Sequence, residues 1–376
     1  MTAPRPIVVF ASMYYDGHQL YDQRLARALA TQSQVLYVEP PTSVLRRARH
    51  SSRNPGLRRS STSDEMRVLT PATIPFGGRA GVQHLTAVLL VLQVWLAAML
   101  VLRTARFDVI YIAIKPLAKV FFPSRRSVSL VKDDYAAGSA LTGLSASAVL
   151  RNFRRSMRRA RHVVVVSPTL RTTMFARGLR ATVVPAGCDV PATVHAEPTD
   201  LADVQRPRLV FVGMVSDRID LDLLEAATAA GFSLVMVGET QPTFSKGEQY
   251  DRLRSSPRTH VLSPRSGSDL DAVIQHCDVG LIPYELSEFN RSSFPLKAFE
   301  YLACGVPVVS TALPSMVWLD FRHLHVASTV DQFLSHIDRA VTESTTEVIA
   351  EECRTFAGKN TWSQRAEVFR RLLEES

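Results

Sequence analysis

The chain has 376 residues, 46% hydrophobic and 21% charged, with 17 Gly, 21 Pro and a formal charge of +9. That length accommodates two domains with cores of their own, and the composition excludes a disordered, collagen-like or disulfide-stapled chain. Cys188, Cys277, Cys304 and Cys353 stand singly with no C-x-x-C pair, which argues against structural zinc and for a reduced, cytosolic setting.

From Met1 to Pro6 the chain leads straight into the apolar run Ile7-Val8-Val9-Phe10, with no signal-peptide pattern. Strands are expected at Ile7–Ala11, Val35–Val38, Arg67–Leu69, Val109–Ile112, Ser127–Val131, His162–Val166 and Ala181–Val184. A second series follows at Arg208–Val212, Ser233–Val237, His260–Leu262, Val279–Ile282 and Val306–Ser310. Apolar runs with little alternation are what parallel strands covered on both faces look like, and helical stretches separate them. The expected class is α/β, with two doubly wound parallel sheets. The turn Pro185–Pro191 and the polar stretch to Arg206 mark the boundary. We therefore expect an N-terminal domain over 1–187, a second over 188–360, and a helix in 361–376 that returns to the first.

Charge is divided between the halves. Residues 1–190 hold 27 Lys+Arg against 9 Asp+Glu, and residues 191–376 hold 17 against 26. Two segments concentrate the positive charge: Arg46 to Ser63, with Arg46, Arg47, Arg49, Arg53, Arg58 and Arg59 in a Ser/Pro/Gly context that reads as a mobile loop, and a basic helix over Leu150–Arg161. Between them, Leu85–Leu102 carries no charge and would extend about 27 Å as a helix, just short of a hydrocarbon core. The strands expected on both sides of it belong to one sheet, which favours a buried or membrane-docked helix over a spanning one. Together these features predict peripheral attachment to an anionic membrane surface, on its cytoplasmic side, through Arg46–Arg59 and Arg151–Arg161. Nucleic acid is not an expected partner, because the basic runs lack interleaved aromatic platforms.

Ligands of parallel sheets bind beyond the carboxyl ends of strands. Neither G-x-G-x-x-G nor a Walker loop is present, which disfavours dehydrogenase and ATPase readings. After the first strand comes a turn with Gly17 and His18, and Asp133 and Asp134 follow Ser127–Val131. Asp220-Leu221-Asp222 reads as a helix start, where carboxylates are favoured, rather than a metal clamp. No metal or resident cofactor is expected. The densest candidate is Asn290–Thr311: Pro295 in a first helical turn capped by Ser292 or Ser293, with Gly305 and Pro307 ending the helix. Lys297 and Glu300, three apart, suit recognition of a phosphate and a ribose diol; they equally suit an i,i+3 ion pair worth a few tenths of a kcal/mol.

Four runs carry a resemblance: QVLYVEPP at residues 34–41, VVPAGCD at 183–189, PRLVFVGMVSDRIDLDLLEAA at 207–227 and PLKAFEYLACGVPVVST at 295–311. They resemble the GT-B glycosyltransferases of the retaining family-4 type ("glycosyl transferases group 1"), nearest a bacterial subgroup of teichuronic-acid and other cell-surface polysaccharide transferases. The resemblance implies a GT-B fold, two Rossmann-like doubly wound domains facing across a cleft. It also implies metal-independent transfer of a sugar, with retention, from a nucleotide diphosphate sugar to a hydroxyl of an envelope polysaccharide or lipid-linked acceptor. By position, Glu300 matches the ribose-binding second Glu of the E-x7-E motif. Gly213 matches the glycine after the first strand of the C-terminal domain. Arg218 lies where the family places cations on the diphosphate, joined by Lys297 and Arg265. Gly17 falls in the donor-side turn of the N-terminal domain, while Asp134 falls where acceptor-side catalytic groups cluster; His18, from its own place after the Gly17 turn, is a candidate for acceptor binding or proton transfer. The first Glu of the motif is Ser292 here, its glycine is Pro295, and the usual Arg and Lys of the diphosphate pair are Met214 and Ile219. These departures keep open a catalytically silent scaffold for polysaccharide assembly; the enzymatic rival is a sugar-nucleotide epimerase of the same fold, which would bind the same nucleotide but need paired acid and base residues around the sugar.

Overall fold

A computed structural model describes residues 4–16, 19–43, 55–74, 82–112, 126–134, 146–157 and 161–375. The chain divides into two compact units, one formed by Met1–Pro185 with Trp362–Ser376 and the other by Ala186–Thr361.

In the first unit the apolar runs become strands β1 (Ile7–Phe10), β2 (Val35–Val38), β5 (Met66–Thr70), β7 (Asp108–Tyr111), β8 (Ser127–Val131), β9 (His162–Val165) and β10 (Thr182–Val183). All of these pair in parallel, in the order β10-β9-β8-β7-β1-β2-β5. Two short strands, β3 (Thr42–Ser43) and β6 (Ala72–Thr73), pair separately. Part of the expected basic loop is instead strand β4 (Gly56–Arg59), which adds antiparallel to β5 at the sheet edge. This strand has a physical cause. Arg58 lies opposite Val68, and its guanidinium reaches the buried carboxylate of Glu39 (2.8 Å) and also Asp16. Neutralising a buried carboxylate fixes the strand. Arg46, Arg47, Arg49 and Arg53 lie outside the described residues.

Two layers cover the sheet. On one face, α1 (Tyr21–Ala30) packs with α13 (Trp362–Glu374), the returning helix; Trp362 meets Tyr21 edge to face at 5.0 Å. Arg370 of α13 donates to the Leu29 carbonyl (2.8 Å), adding a charged donor to the amides of Gln32 and Ser33 that already reach it at the end of α1. On the other face lies α2 (Val82–Leu102), the uncharged segment of the sequence. Its Leu90, Val94, Ala97, Ala98 and Leu102 pack on Val8, Phe10, Leu36, Val38, Leu69, Val109 and Tyr111. Helices α3 (Ala146–Met157) and α4 (Pro168–Ala176) follow, the latter capped by Ser167 with Pro168 in its first turn. In the basic segment, Arg151, Arg154 and Arg161 are exposed; Arg158 and Arg159 lie outside the described residues, as does the side chain of Arg155.

The second unit is a six-stranded, all-parallel sheet in the order β13 (Thr259–Leu262), β12 (Ser233–Val237), β11 (Arg208–Val212), β14 (Val279–Ile282), β15 (Val308–Thr311), β16 (Leu324–Ala327). Helix α5 (Leu221–Ala229) starts at Asp220, whose carboxylate accepts from the Asp222 amide (3.1 Å), as expected of the D-x-D string. Then come α6 (Gly247–Arg254), α7 (Ser268–Gln275), α8 (Glu288–Ser292), α9 (Lys297–Ala303), α10 (Pro314–Leu319), α11 (Val330–Ser344) and α12 (Glu347–Gly358). One core joins Leu209, Phe211, Leu224, Leu234, Met236, Leu281, Phe333 and Ile337.

Candidate functional site

Strand order in the second unit reverses at β11, which has β12 on one side and β14 on the other, so the crevice outside the carboxyl ends of β11 and β14 is the natural ligand position. Pairing of β11 with β14 runs through Leu209 and Val210. Beyond it, Tyr301 of α9 bridges the two strands. Its hydroxyl accepts from the Val212 amide (2.8 Å) and donates to the Leu281 carbonyl (3.4 Å). The ring fits because position 280 is glycine; a Cβ there would overlap it. Gly238 similarly lets the turn after β12 approach the carbonyl of Gly213 in the turn after β11.

That turn delivers Arg218. Its guanidinium lies over the rings of Tyr284 and Phe289, 5.0 Å from each centroid. Nε donates to Oδ1 of Asn290 (2.7 Å) and Nη2 to the Ser293 hydroxyl (3.4 Å). Asn290 is fully buried, and its amide nitrogen donates to the carbonyls of Arg218 (3.1 Å) and Glu285 (2.9 Å). Among the described residues no carboxylate pairs with Arg218. A cation held by an amide, a hydroxyl and two aromatic faces is oriented without being neutralised, which suits it to an anionic ligand.

Helix α9 brings Lys297 and Glu300 to the same place as an ion pair, with the Glu300 side chain 10% exposed. Burial pushes the Tyr284 hydroxyl up; Arg218 opposes this and Glu300 reinforces it, so all three share one field. The expected caps differ. Ser292 and Ser293 donate to the carbonyls of Phe289 and Asn290, closing the short α8, and α9 begins after Leu296 with no side-chain cap.

Arg218 and Glu300 thus both act on Tyr284, Lys297 pairs with Glu300, and Gly213 lies in the turn after β11 that leads to Arg218. Arg265 forms an ion pair with Asp200. Asp134, in the first unit, is held by both oxygens to Arg177 (3.1 and 3.3 Å). Gly17 and His18 lie outside the described residues. Sequence reasoning missed Asn290, Tyr284 and Phe289, whose partner Arg218 is some 70 positions away. It also missed a cluster at the carboxyl edge of the first sheet. There Asp22, fully buried in the first turn of α1, accepts from the Ser12 amide and hydroxyl (2.7 Å each) and pairs with Lys132. The only sequence signal was Lys132 beside Asp133 and Asp134.

Residues 206–343 match the family model described as glycosyl transferases group 1. The putative teichuronic acid biosynthesis glycosyltransferase TuaH of Bacillus subtilis is 25% identical over 172 residues, 44% of this chain and 42% of that protein. The match therefore spans less than half of that relative. Among solved structures, sucrose-phosphate synthase from Thermosynechococcus elongatus superposes with a TM-score of 0.71 at 16% identity, covering 99% of this chain and 100% of that one. Anabaena Alr3699/HepE in complex with UDP gives 0.69, also at 16% identity and with coverage of 99% and 100%. The fold is GT-B, and the second unit carries a glycosyl transferases group 1 domain.

Proposed function

We propose that this chain is a glycosyltransferase that moves a sugar, with retention and without a metal ion, from a nucleotide diphosphate sugar to a hydroxyl of a cell-envelope polysaccharide or lipid-linked acceptor on the cytoplasmic side of the membrane. The observation that carries the reading is Arg218, oriented by neutral groups at the switch point beside Lys297 and Glu300. When the bond from the anomeric carbon to the diphosphate breaks, negative charge grows on the departing phosphate. Arg218 and Lys297 stabilise it where it develops, while Glu300 accepts from ribose hydroxyls. Arg265, paired with Asp200 as Lys297 is with Glu300, is the third cation of the proposed set. The name of TuaH supports an envelope acceptor, and the UDP complex of HepE makes uridine nucleotides the first donors to test.

Thermal-shift titration with UDP, GDP, ADP and their sugars is the direct test, since a ligand of the native state alone raises the melting temperature. One nucleotide should stabilise the protein and its sugar should be slowly hydrolysed; Glu300→Ala should abolish both. No response to any nucleotide would favour the silent scaffold, and an altered sugar on recovered donor the epimerase.

A further inference from the structure

Helix α2 has two apolar sides, and among the described residues only one is packed. Inward, Leu90, Val94, Ala97, Ala98 and Leu102 complete the core. Outward, every exposed residue from Leu85 to Leu100 is a large hydrophobe: Leu85, Val88, Leu92, Trp95, Leu96 and Leu100, the last 73% exposed. The polar side chain in the middle of this stretch is turned inward, Gln93 exchanging hydrogen bonds with the backbone of Ala72 (2.8 and 2.9 Å).

The edge strand extends this surface. Directly opposed residues of an antiparallel pair share a face. Leu57 and Arg59 of β4 lie opposite Leu69 and Arg67, and Leu69 packs in the α2 core, so Leu57 and Arg59 project on the α2 side. Leu57 is exposed, as are Arg59 and, just past α2, Arg103 and Arg106. The basic rim of Arg59, Arg67, Arg103 and Arg106 outweighs the two acids of the β4–β5 turn, Asp64 and Glu65.

We propose that this face docks on an anionic lipid bilayer, with α2 lying in the plane of the membrane, its outer side among the acyl chains and the arginines at the headgroups. Protein interfaces mix apolar with polar area and carry hydrogen bonds; a strip whose exposed side chains offer almost none of either fits hydrocarbon. The attachment belongs to the first unit alone and stands whether or not the second transfers a sugar.

The test is sedimentation of the whole protein with phosphatidylcholine vesicles, with and without phosphatidylglycerol. Binding should be strong only with the anionic lipid, and Trp95 fluorescence should be quenched by brominated acyl chains, a signal lost in Trp95→Phe. Leu92→Glu with Leu96→Glu, at exposed positions, should lower partitioning at least a hundredfold with an unchanged melting temperature. Arg103→Gln and Arg106→Gln should each lower it roughly fivefold. Equal binding to neutral vesicles, an unaffected Leu92→Glu/Leu96→Glu variant, or no vesicle binding together with a dimer that this variant dissociates would each overturn the proposal.

Discussion

Replacing Asn290 by alanine tests whether Arg218 is held in position before any anion arrives. The buried amide makes three hydrogen bonds, one to the guanidinium and two to backbone carbonyls. The charged one is worth about 1.5–3 kcal/mol and each of the others about 1 kcal/mol. Alanine removes all three, a loss of about 4 kcal/mol that water entering the vacated space reduces to about 3. In a domain of 150–250 residues each kcal/mol shifts the melting temperature by about 2–4 °C, so Asn290→Ala should melt roughly 6–12 °C lower. The freed guanidinium must also be ordered again on binding, which should weaken nucleotide affinity about tenfold, or about 1.4 kcal/mol. Calorimetry of both processes, run as a cycle with Arg218→Ala, should give a coupling energy of about 1–2 kcal/mol. A melting temperature within 2 °C of the parent, or an equal loss of affinity in the Arg218→Ala background, would refute the reasoning.

Further outcomes are expected elsewhere. Gly238→Ala would drive a Cβ into the Gly213 carbonyl at a φ of +152°, and should cost more than about 3 kcal/mol in chemical denaturation; a cost below 1 would contradict the packing. Donor turnover should be unchanged in excess EDTA, and loss of activity restored by manganese would end the metal-independent reading. Acid should loosen the second unit in two stages. Burial lowers His325 below 6.5 despite the opposing Glu343, so the native state binds its proton less readily than the unfolded chain, and stability falls as pH drops from about 6.5 towards the lowered value. Glu343 is also lowered, its burial outweighed by hydrogen bonds from His323 and His325, and its contribution is lost below about 4.5. Melting temperature followed from pH 7 to 4 checks this; a flat profile contradicts it.

The strands that seed both sheets were legible because each is a short apolar run that must be covered on both faces. Ser127–Val131, Arg208–Val212, Ser233–Val237 and Val279–Ile282 have the expected limits. The edge strand Gly56–Arg59 was not, since nothing local announces that Arg58 has a buried carboxylate 19 residues earlier to neutralise. The same limit applies at the site. Lys297 and Glu300 were found through their spacing on one helix, while Asn290 matters through a contact 72 residues away. Nothing near Arg265 announced its ion pair with Asp200, 65 positions distant. One-dimensional patterns report what an element must bury; they do not report which distant ion consumes a charge.

The returning helix α13 has a consequence for the order in which the chain matures on the ribosome. Trp362 and Arg370 complete the layer against α1, yet they are translated after all of Ala186–Thr361. The usual sequence, N-terminal domain first, is therefore inverted. The inserted sheet can close while the earlier-made one still waits for its covering helix, and a chain cut after Thr361 would hold every element of the second unit and a first unit whose Tyr21 lacks the ring of Trp362.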